Sequence, residues 1–403
     1  MSPPLHLSRR GAAMPASPIR RLAPYAVEAR KAGRTVFGLN IGQPDVPTPK
    51  EILSRFGTWP EKYVPYGPSQ GLPEMLEALR GYYRTNAGVS LDVEHLFVTT
   101  AGTEAIQFTF GALCDAGDEI LVFEPFYTNY NGIGAVMGVG MVPVPTRVED
   151  GYHLPSRAEI EKRITPRTRA ILMCSPNNPT GTVYSDAEIA MLASICRDRR
   201  IYLVSDEVYR EFTYDGLKHR SVLTLDGMED LAIVVDSVSK RYSMCGARIG
   251  NIVSRNKPFM DMILRFGQAR LCPPTLEQWA CLGLADVPAS YTQGVIAEYQ
   301  KRRDVVSDAL AKMPGVVARK PEGAFYICAR LPVEDSNAFA IFLLKEFHVD
   351  NETVMVAPLD GFYATPGLGR DEVRLAYVLE QDKLRRAMGV LEAALAAYPA
   401  RVG

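Results

Sequence analysis

The chain has 403 residues, of which 47% are apolar, and its formal net charge at pH 7 is −1. This length predicts two domains rather than a single core, and the near-neutral charge argues against a nucleic-acid partner. No apolar stretch approaches the about 18 residues that a membrane-spanning helix requires, so the sequence predicts no membrane partner either.

The cysteines and histidines are scattered. There are seven cysteines, mostly inside apolar runs, which predicts reduced thiols in a cytoplasmic protein. The five histidines show no metal-ligand spacing, so no metal site is predicted. Residues 1–17 include Arg9 and Arg10 but no apolar core of a secretory signal. We interpret this stretch as a disordered extension, with Met14 as an alternative start.

The first elements are a predicted amphipathic helix at residues 19–31 and a strand at 36–40. Gly42 and the prolines at 44, 47 and 49 then break regular structure, so this segment is either a connector or a stretch that crosses a substrate cleft. Tyr66 lies in a loop rich in glycine and proline, before a helix that begins near Leu72. The composition alone suggests a loop aromatic packed on its neighbours.

A strand at 96–99 is followed by Ala101-Gly102-Thr103 and an apolar helix. The unpartnered N–H groups and the dipole of such a helix start favour an anion, so this turn is a candidate phosphate cradle. A second strand at 119–123 ends just before Tyr127. An aromatic residue there is usually packing, although a planar cofactor also needs one ring face covered.

Polar residues follow the next two predicted strands. The strand at 170–174 leads into Ser175-Pro176-Asn177-Asn178-Pro179-Thr180-Gly181, a turn by composition. The strand at 201–204 leads to Asp206 and, three residues on, Tyr209. A lone aspartate would cap a helix, but a carboxylate and a phenol at this spacing suit a pyridine ring that carries a basic nitrogen and an oxyanion.

Lys240 follows an apolar run at 231–236 that predicts a buried parallel strand. Ligands bind at the carboxyl ends of such strands, where a desolvated lysine can act as an amine nucleophile. Ser237 and Arg248 add a hydroxyl and a guanidinium suited to a phosphate. Taken alone, Lys240 is better interpreted as a solvated surface residue.

The C-terminal third begins with predicted helices at 258–285 and 291–312, the first interrupted at Pro273-Pro274. Arg270, beside this break, is either a solvated arginine, which we favour, or a contact for a second acidic group of a substrate. The remainder alternates strands and helices, as is typical of an α+β domain. Arg374 lies in an apolar strand, where a buried arginine needs an anion.

The pattern Ser237-Val238-Ser239-Lys240 with Gly246, Arg248 and Gly250 resembles the cofactor-lysine signature of the fold-type I pyridoxal-phosphate enzymes, the class I/II aminotransferases. The Asn178-Pro179-Thr180-Gly181 loop and the Arg374-Leu375-Ala376-Tyr377 stretch fall in this family's order. The resemblance implies an α/β fold with a large doubly wound, mostly parallel sheet domain at 46–290. It also implies a smaller α+β domain made of 18–45 plus 291–403.

The resemblance also implies residue roles. Lys240 would bind pyridoxal 5'-phosphate covalently and carry the substrate's Cα proton, Asp206 would keep the pyridine nitrogen protonated, and Tyr127 would stack on the ring in place of the family's frequent tryptophan. Tyr66 would reach across a dimer interface to the partner's phosphate. The remaining implied contacts are Asn178 and Tyr209 to the phenolic oxygen, Ala101, Gly102, Thr103, Ser237 and Arg248 to the phosphate, and Gly42, Asn178 and Arg374 to the substrate carboxylate.

The implied activity is transfer of an amino group from an L-amino acid to a 2-oxo acid such as 2-oxoglutarate, by a ping-pong mechanism in a homodimer. We expect aspartate or glutamate as the donor, with Arg270 as the candidate contact for the second carboxylate. A lyase, decarboxylase or oxidase of the same fold is the alternative. A non-catalytic pyridoxal-phosphate-sensing module is disfavoured, because the N-terminal extension is too short for a DNA-binding domain.

Overall fold

The computed structural model describes residues 5–402. Its strands are β1 (Thr35–Gly38), β2 (Leu96–Thr99), β3 (Glu119–Glu124), β4 (Gly140–Pro145), β5 (Thr168–Cys174), β6 (Tyr202–Asp206), β7 (Ala232–Ser237), β8 (Gly250–Val253), β9 (Val317–Ala318), β10 (Tyr326–Arg330), β11 (Glu352–Met355), β12 (Ala357–Pro358) and β13 (Glu372–Ala376). Its α-helices are α1 (Arg9–Ala12), α2 (Ala23–Lys31), α3 (Lys50–Leu53), α4 (Pro73–Ala87), α5 (Ala101–Leu113), α6 (Asn129–Met137), α7 (Arg157–Glu161), α8 (Asp186–Arg199), α9 (Val238–Arg241), α10 (Lys257–Arg270), α11 (Thr275–Cys281), α12 (Ala289–Leu310), α13 (Ser336–Lys345) and α14 (Gln381–Ala397).

The largest sheet has seven strands in the order β2-β8-β7-β6-β5-β3-β4. All neighbours are parallel except at β8, which runs antiparallel to both β2 and β7. Successive residues point to opposite faces, so Leu121 and Phe123 join one buried cluster while Ile120 and Val122 join another. Because both faces are buried, these strands read as unbroken apolar runs. The prediction of a doubly wound, mostly parallel sheet is confirmed.

The carboxyl ends of three central strands bring the motif residues to one edge of the sheet. Strands β5, β6 and β7 are adjacent and parallel, with Cys174 opposite Asp206 and Asp206 opposite Val235. Asn178 and Lys240 follow β5 and β7, and Asp206 is the last residue of β6. Parallel neighbours therefore place side chains that are far apart in sequence at a single site.

The smaller unit contains an antiparallel sheet of order β12-β13-β10-β9 and the parallel pair β1-β11. It combines both ends of the chain, since the N–H of Ala376 donates to the carbonyl of Leu39 at 2.7 Å. Helices α12, α13 and α14 cover one shared apolar core. This mixture confirms the α+β character, while the boundaries 46–290, 18–45 and 291–403 stay predictions.

The first helix differs from its predicted range. It begins at Ala23 rather than at residue 19, because the N–H groups of Arg20 and Arg21 both donate to the carbonyl of Ser17 in a preceding turn. Before that turn, residues 5–17 are exposed and form one helical turn, α1. The disorder predicted for residues 1–17 falls partly outside the described residues and stays a prediction.

No helix within residues 5–402 combines the length and the apolar character needed to cross a membrane. The cytoplasmic location expected from the cysteines stays a prediction.

Candidate active site

A cavity of about 760 Å³ lies at the carboxyl edge of the large sheet, where the smaller unit meets it. Most of the residues that the sequence predicts for a site line this cavity. The residues on its wall include Gly42, Ala101, Gly102, Thr103, Tyr127, Asn178, Asp206, Tyr209, Ser237, Lys240, Arg248 and Arg374. Arg270 and Tyr66 are not among them.

Lys240 lies in the one-turn helix α9 that directly follows β7. The Ser237 hydroxyl caps this turn by accepting the N–H of Ser239 at 3.1 Å. The lysine Nζ donates to the carbonyl of Gly42 at 2.7 Å and lies 3.6 Å from Cys245 Sγ. Among the described residues, the hydrogen-bond partners of the amine are therefore a carbonyl and a thiol.

Asp206 is buried at the end of β6, and two donors hold its carboxylate. The Tyr130 hydroxyl donates to Oδ2 at 2.7 Å and the N–H of Val208 donates to Oδ1 at 3.3 Å. Burial raises the pKa of Asp206 to about 6, against the lowering effect of the Tyr130 hydrogen bond. A carboxylate in this setting suits a protonated ring nitrogen.

Tyr130 is a residue of this site that the sequence patterns did not indicate. It lies one helical turn after Tyr127, in α6, and the two rings meet edge to face at 5.5 Å. The N–H of Tyr130 donates to the carbonyl of Tyr127 at 3.0 Å, in the turn from which α6 begins. The spacing of three residues between two tyrosines, which such a turn brings together, could have suggested a common site.

Tyr326 is a second missed residue, and it closes the cavity from the smaller unit. Its hydroxyl lies 2.8 Å from that of Tyr209, and both side chains are buried. A Cβ atom on residue 42 would lie 1.8 Å from the Tyr326 hydroxyl, so only glycine fits at Gly42. Tyr326 begins the apolar strand β10, where its sequence gives no sign of a functional role.

Arg374 is 1% exposed and has only neutral hydrogen-bond acceptors within residues 5–402. Its Nη1 donates to Asn178 Oδ1 at 2.9 Å and its Nη2 to the carbonyl of Asn40 at 2.5 Å, while its Nε has no partner there. A guanidinium has more N–H donors than these two bonds use. The unused donors of a buried guanidinium can bind a carboxylate, so the surroundings of Arg374 fit the predicted contact.

The start of α5 fits the phosphate cradle that the sequence predicts. Ala101 has a positive φ of 61°, and the first turn of the helix lines the cavity together with Ser237 and Arg248. Strand β8 can pass close behind, because a Cβ at Gly250 would lie 2.5 Å from the carbonyl carbon of Ala101. Backbone donors, a hydroxyl and a guanidinium together fit a phosphate group.

The structure does not bring Arg270 to the cavity. Its Nη1 pairs with Glu104 Oε2 at 2.8 Å, its Nη2 donates to the carbonyl of Ser69 at 3.0 Å, and its side chain is 15% exposed. The interpretation of Arg270 as a solvated arginine is therefore wrong. Because α10 ends at this residue, ahead of Pro273-Pro274, the side chain turns towards the first turn of α5 instead of the cavity.

Tyr66 also lies outside the cavity of its own chain. Its side chain is 81% exposed, beside Val64 and Thr100 in a shallow groove that also includes Cys272. Thr100 directly precedes the phosphate cradle. A role for Tyr66 at a cofactor site would therefore require a second copy of the chain.

Comparison with known proteins identifies the family of this chain. The model of the family "Aminotransferase class I and II" matches residues 34–391. The chain belongs to the class I and II aminotransferases. It is 32% identical over 389 residues to the aspartate/prephenate aminotransferase of Thermus thermophilus, with 95% of this chain and 97% of that protein covered. It is 29% identical over 394 residues to the aspartate aminotransferase of Geobacillus stearothermophilus, with 95% and 97% covered.

Solved aminotransferase structures share the fold. A double mutant of the Thermus thermophilus aspartate aminotransferase superposes with a TM-score of 0.88 at 30% identity, covering 97% of this chain and 100% of that one. The alanine aminotransferase of Pyrococcus furiosus also gives 0.88, at 31% identity and with the same coverage. This aminotransferase depends on pyridoxal phosphate and acts on amino acids and 2-oxo acids.

Proposed function

We propose that this aminotransferase takes its amino group from L-aspartate or L-glutamate, passes it to a 2-oxo acid such as 2-oxoglutarate by a ping-pong mechanism, and works as a homodimer. The names of the two curated relatives support the dicarboxylic donor. The observation that carries the amino-acid substrate is the buried Arg374 guanidinium, whose hydrogen-bond acceptors among residues 5–402 are all neutral.

Arg374 would orient the amino acid. Its free N–H donors bind the α-carboxylate, while the bonds to Asn178 and to the carbonyl of Asn40 fix the plane of the guanidinium. The α-carbon of the substrate then has one defined position in the cavity. Such orientation contributes to catalysis because it replaces a random encounter with a fixed geometry.

Lys240 would carry the proton of the α-carbon. When bound, pyridoxal phosphate supplies the electron sink that amino-acid side chains lack. The lysine amine, held in the cavity near Gly42, then acts as a general base that removes the Cα proton and as a general acid that returns it. Asp206 keeps a proton on the ring nitrogen, and Tyr209 and Asn178 donate to the phenolic oxygen.

The absorption spectrum of the bound cofactor reports which amino acid is the substrate. The absorption spectrum is recorded after addition of L-aspartate, L-alanine or L-phenylalanine, each without an oxo acid. We expect L-aspartate to convert the pyridoxal form to the pyridoxamine form fastest, with one oxo acid released per site, and 2-oxoglutarate to restore the spectrum. Faster conversion by alanine or phenylalanine would contradict the dicarboxylic donor, and continued release of oxo acid without an acceptor would favour the lyase or oxidase alternative.

The exposed surface around Tyr66 supports the homodimer. Tyr63, Val64 and Leu271 expose 68%, 53% and 51% of their area, and exposed apolar side chains grouped in this way are typical of an interface. The groove beside Tyr66 reaches Thr100, next to the phosphate cradle. A second copy placed on this surface would therefore bring its own Tyr66 close to the cofactor site.

Mixed dimers test the shared site. Lys240→Ala removes the lysine and Tyr66→Phe removes the phenol, so each homodimer should lose activity. If Tyr66 acts across the interface, a mixed dimer of the two variants contains one intact site, and mixing the denatured chains before refolding should restore part of the activity. No recovery in a mixture that light scattering shows to be dimeric would contradict the shared site.

A further inference from the structure

Arg20 is a cation on the wall of the active-site cavity that has no side-chain partner among residues 5–402. It lies in the turn before α2 and is exposed. Its neighbour Arg21 differs, since Arg21 pairs with Asp360 at 2.6 Å and also contacts Asn337. The two adjacent arginines therefore have separate surroundings, one at a surface ion pair and one at the cavity.

The turn that carries Arg20 is attached to the Arg374 site through a single residue. The side chain of Asn40 donates from Nδ2 to the carbonyl of Ile19 at 3.1 Å, while the carbonyl of Asn40 accepts from Arg374 Nη2 at 2.5 Å. Pro18 is buried against Gly361, where an added Cβ would lie 2.6 Å from the proline Cβ. The backbone beside Arg20 thus has a fixed position relative to the carboxylate-binding arginine.

Arg20 is the one charged residue on the described wall of the cavity that the proposed function does not use. The other cations of the cavity are Lys240, Arg248 and Arg374, and the carboxylate is Asp206. Under the proposed function, Lys240, Arg248 and Asp206 serve the cofactor and Arg374 serves the α-carboxylate.

Arg270 cannot supply a further cation, because Glu104 already pairs with it outside the cavity. Arg20 is therefore the remaining cation of the cavity that is available to the second carboxylate of a substrate.

We propose that Arg20 binds the side-chain carboxylate of a dicarboxylic substrate and so sets the preference for aspartate or glutamate over neutral amino acids. This inference rests on the proposed function. An arginine at the cavity mouth is hydrated when the site is empty and can form two parallel hydrogen bonds to an arriving carboxylate. Neutral substrates would use the same Arg374 contact without this second one.

The test uses the holoenzyme with three variants, Arg20→Ala, Arg20→Lys and the control Arg30→Ala. Arg30 is an exposed arginine of α2 outside the cavity, so its loss changes the net charge equally. Calorimetry gives the dissociation constants of succinate, a dicarboxylate, and of butyrate, a monocarboxylate. Half-reaction rates with L-aspartate and L-alanine are measured in parallel.

We expect Arg20→Ala to weaken succinate binding and to slow the aspartate half-reaction by about 10-fold or more, the scale of a hydrogen bond to a charged group. Butyrate binding and the alanine reaction should stay unchanged, Arg20→Lys should be intermediate, and Arg30→Ala should match the wild type. Equal effects of Arg20→Ala on succinate and butyrate, or none, would overturn the role of Arg20 alone. A wild type that reacts with alanine but not with aspartate would overturn the dicarboxylic donor as well.

Discussion

Tyr130 donates a hydrogen bond from its hydroxyl to Asp206 Oδ2 at 2.7 Å, and both side chains are buried. This bond stabilises the ionised carboxylate against burial, which raises the pKa of Asp206 to about 6. Without the bond, the pKa would rise further and more of the carboxyl would be protonated at neutral pH. Asp206 would then be a weaker partner for a cationic ring nitrogen.

We expect Tyr130→Phe to raise the dissociation constant of pyridoxal phosphate by about 10-fold, since a hydrogen bond to a charged group contributes about 1.5–3 kcal/mol. The measurement is a fluorescence titration of the apoenzyme with the cofactor. Tyr152→Phe is the matched control, because Tyr152 is also buried and its hydroxyl has no hydrogen-bond partner within the described part of the chain. Equal affinities in the two variants would contradict the role of Tyr130.

Replacement of Arg270 should affect stability rather than substrate preference. Its pair with Glu104 is mostly buried, and the same Glu104 carboxylate accepts the N–H of Thr100 at 2.7 Å at the start of α5. We expect Arg270→Ala to lower the free energy of unfolding by about 1–3 kcal/mol and to leave the ratio of aspartate to alanine rates unchanged. Urea denaturation and the two half-reactions check this.

A double-mutant cycle with Glu104→Gln isolates the pair, because coupled neighbours show non-additive losses. A selective loss of aspartate turnover in Arg270→Ala would revive the sequence-based hypothesis that this arginine contacts the second carboxylate.

Gly42→Ala should damage the site directly. The new Cβ would overlap the Tyr326 hydroxyl at 1.8 Å, and Tyr326 is 2% exposed and bonded to Tyr209, so it has little room to move. We expect a loss of about 1–3 kcal/mol in stability, the usual range for overpacking, together with slower turnover. Gly81→Ala, a helical position with no atom within 4 Å of the added Cβ, should not lower the melting temperature. A fully active Gly42→Ala enzyme would show that the loop moves freely.

The pH dependence of stability should contain a contribution from His153. Hydrogen bonds that the imidazole donates to Glu188 and then to Glu322 raise the pKa of His153 from 6.5 to about 10 in the folded state. Because the folded pKa exceeds the unfolded one, this contribution is fully present below pH 6.5 and disappears as the pH rises through about 10. The side chain is 37% exposed, so solvent screening limits the effect to about 1 kcal/mol or less.

The measurement is urea denaturation between pH 6.5 and 10 for the wild type, His153→Gln and the control His348→Gln, an exposed histidine. The wild type and the control should lose stability more steeply than His153→Gln over this interval. The same slope in all three proteins would remove His153 from this role.

The sequence predicted the parts of the site that follow directly from strands. Asn178, Asp206 and Lys240 each come just after an apolar run, and parallel strands bring such positions to one edge whatever their separation along the chain. The sheet itself was predictable for the same reason, because strands buried on both faces are continuously apolar.

Contacts between separate elements could not be predicted in this way. Tyr326 faces the cavity only because β10 of the smaller unit packs opposite Gly42, and Asn40 reaches both Ile19 and Arg374 through tertiary contacts. The burial of Arg270 depends on Glu104, 166 positions away in the chain. Such pairings depend on where helices pack, which local sequence patterns do not encode.

The neutral surroundings of Arg374 have a practical consequence for anyone who handles this enzyme. Among residues 5–402 the buried guanidinium has no carboxylate partner and can bind small carboxylates. A solute that binds only the folded protein at saturating concentration raises its stability with the logarithm of the solute concentration. Acetate or formate in a purification buffer would therefore protect the enzyme during storage and compete with amino acids in assays. Stocks kept in chloride and in acetate would differ in shelf life and in apparent KM, although the polypeptide is the same.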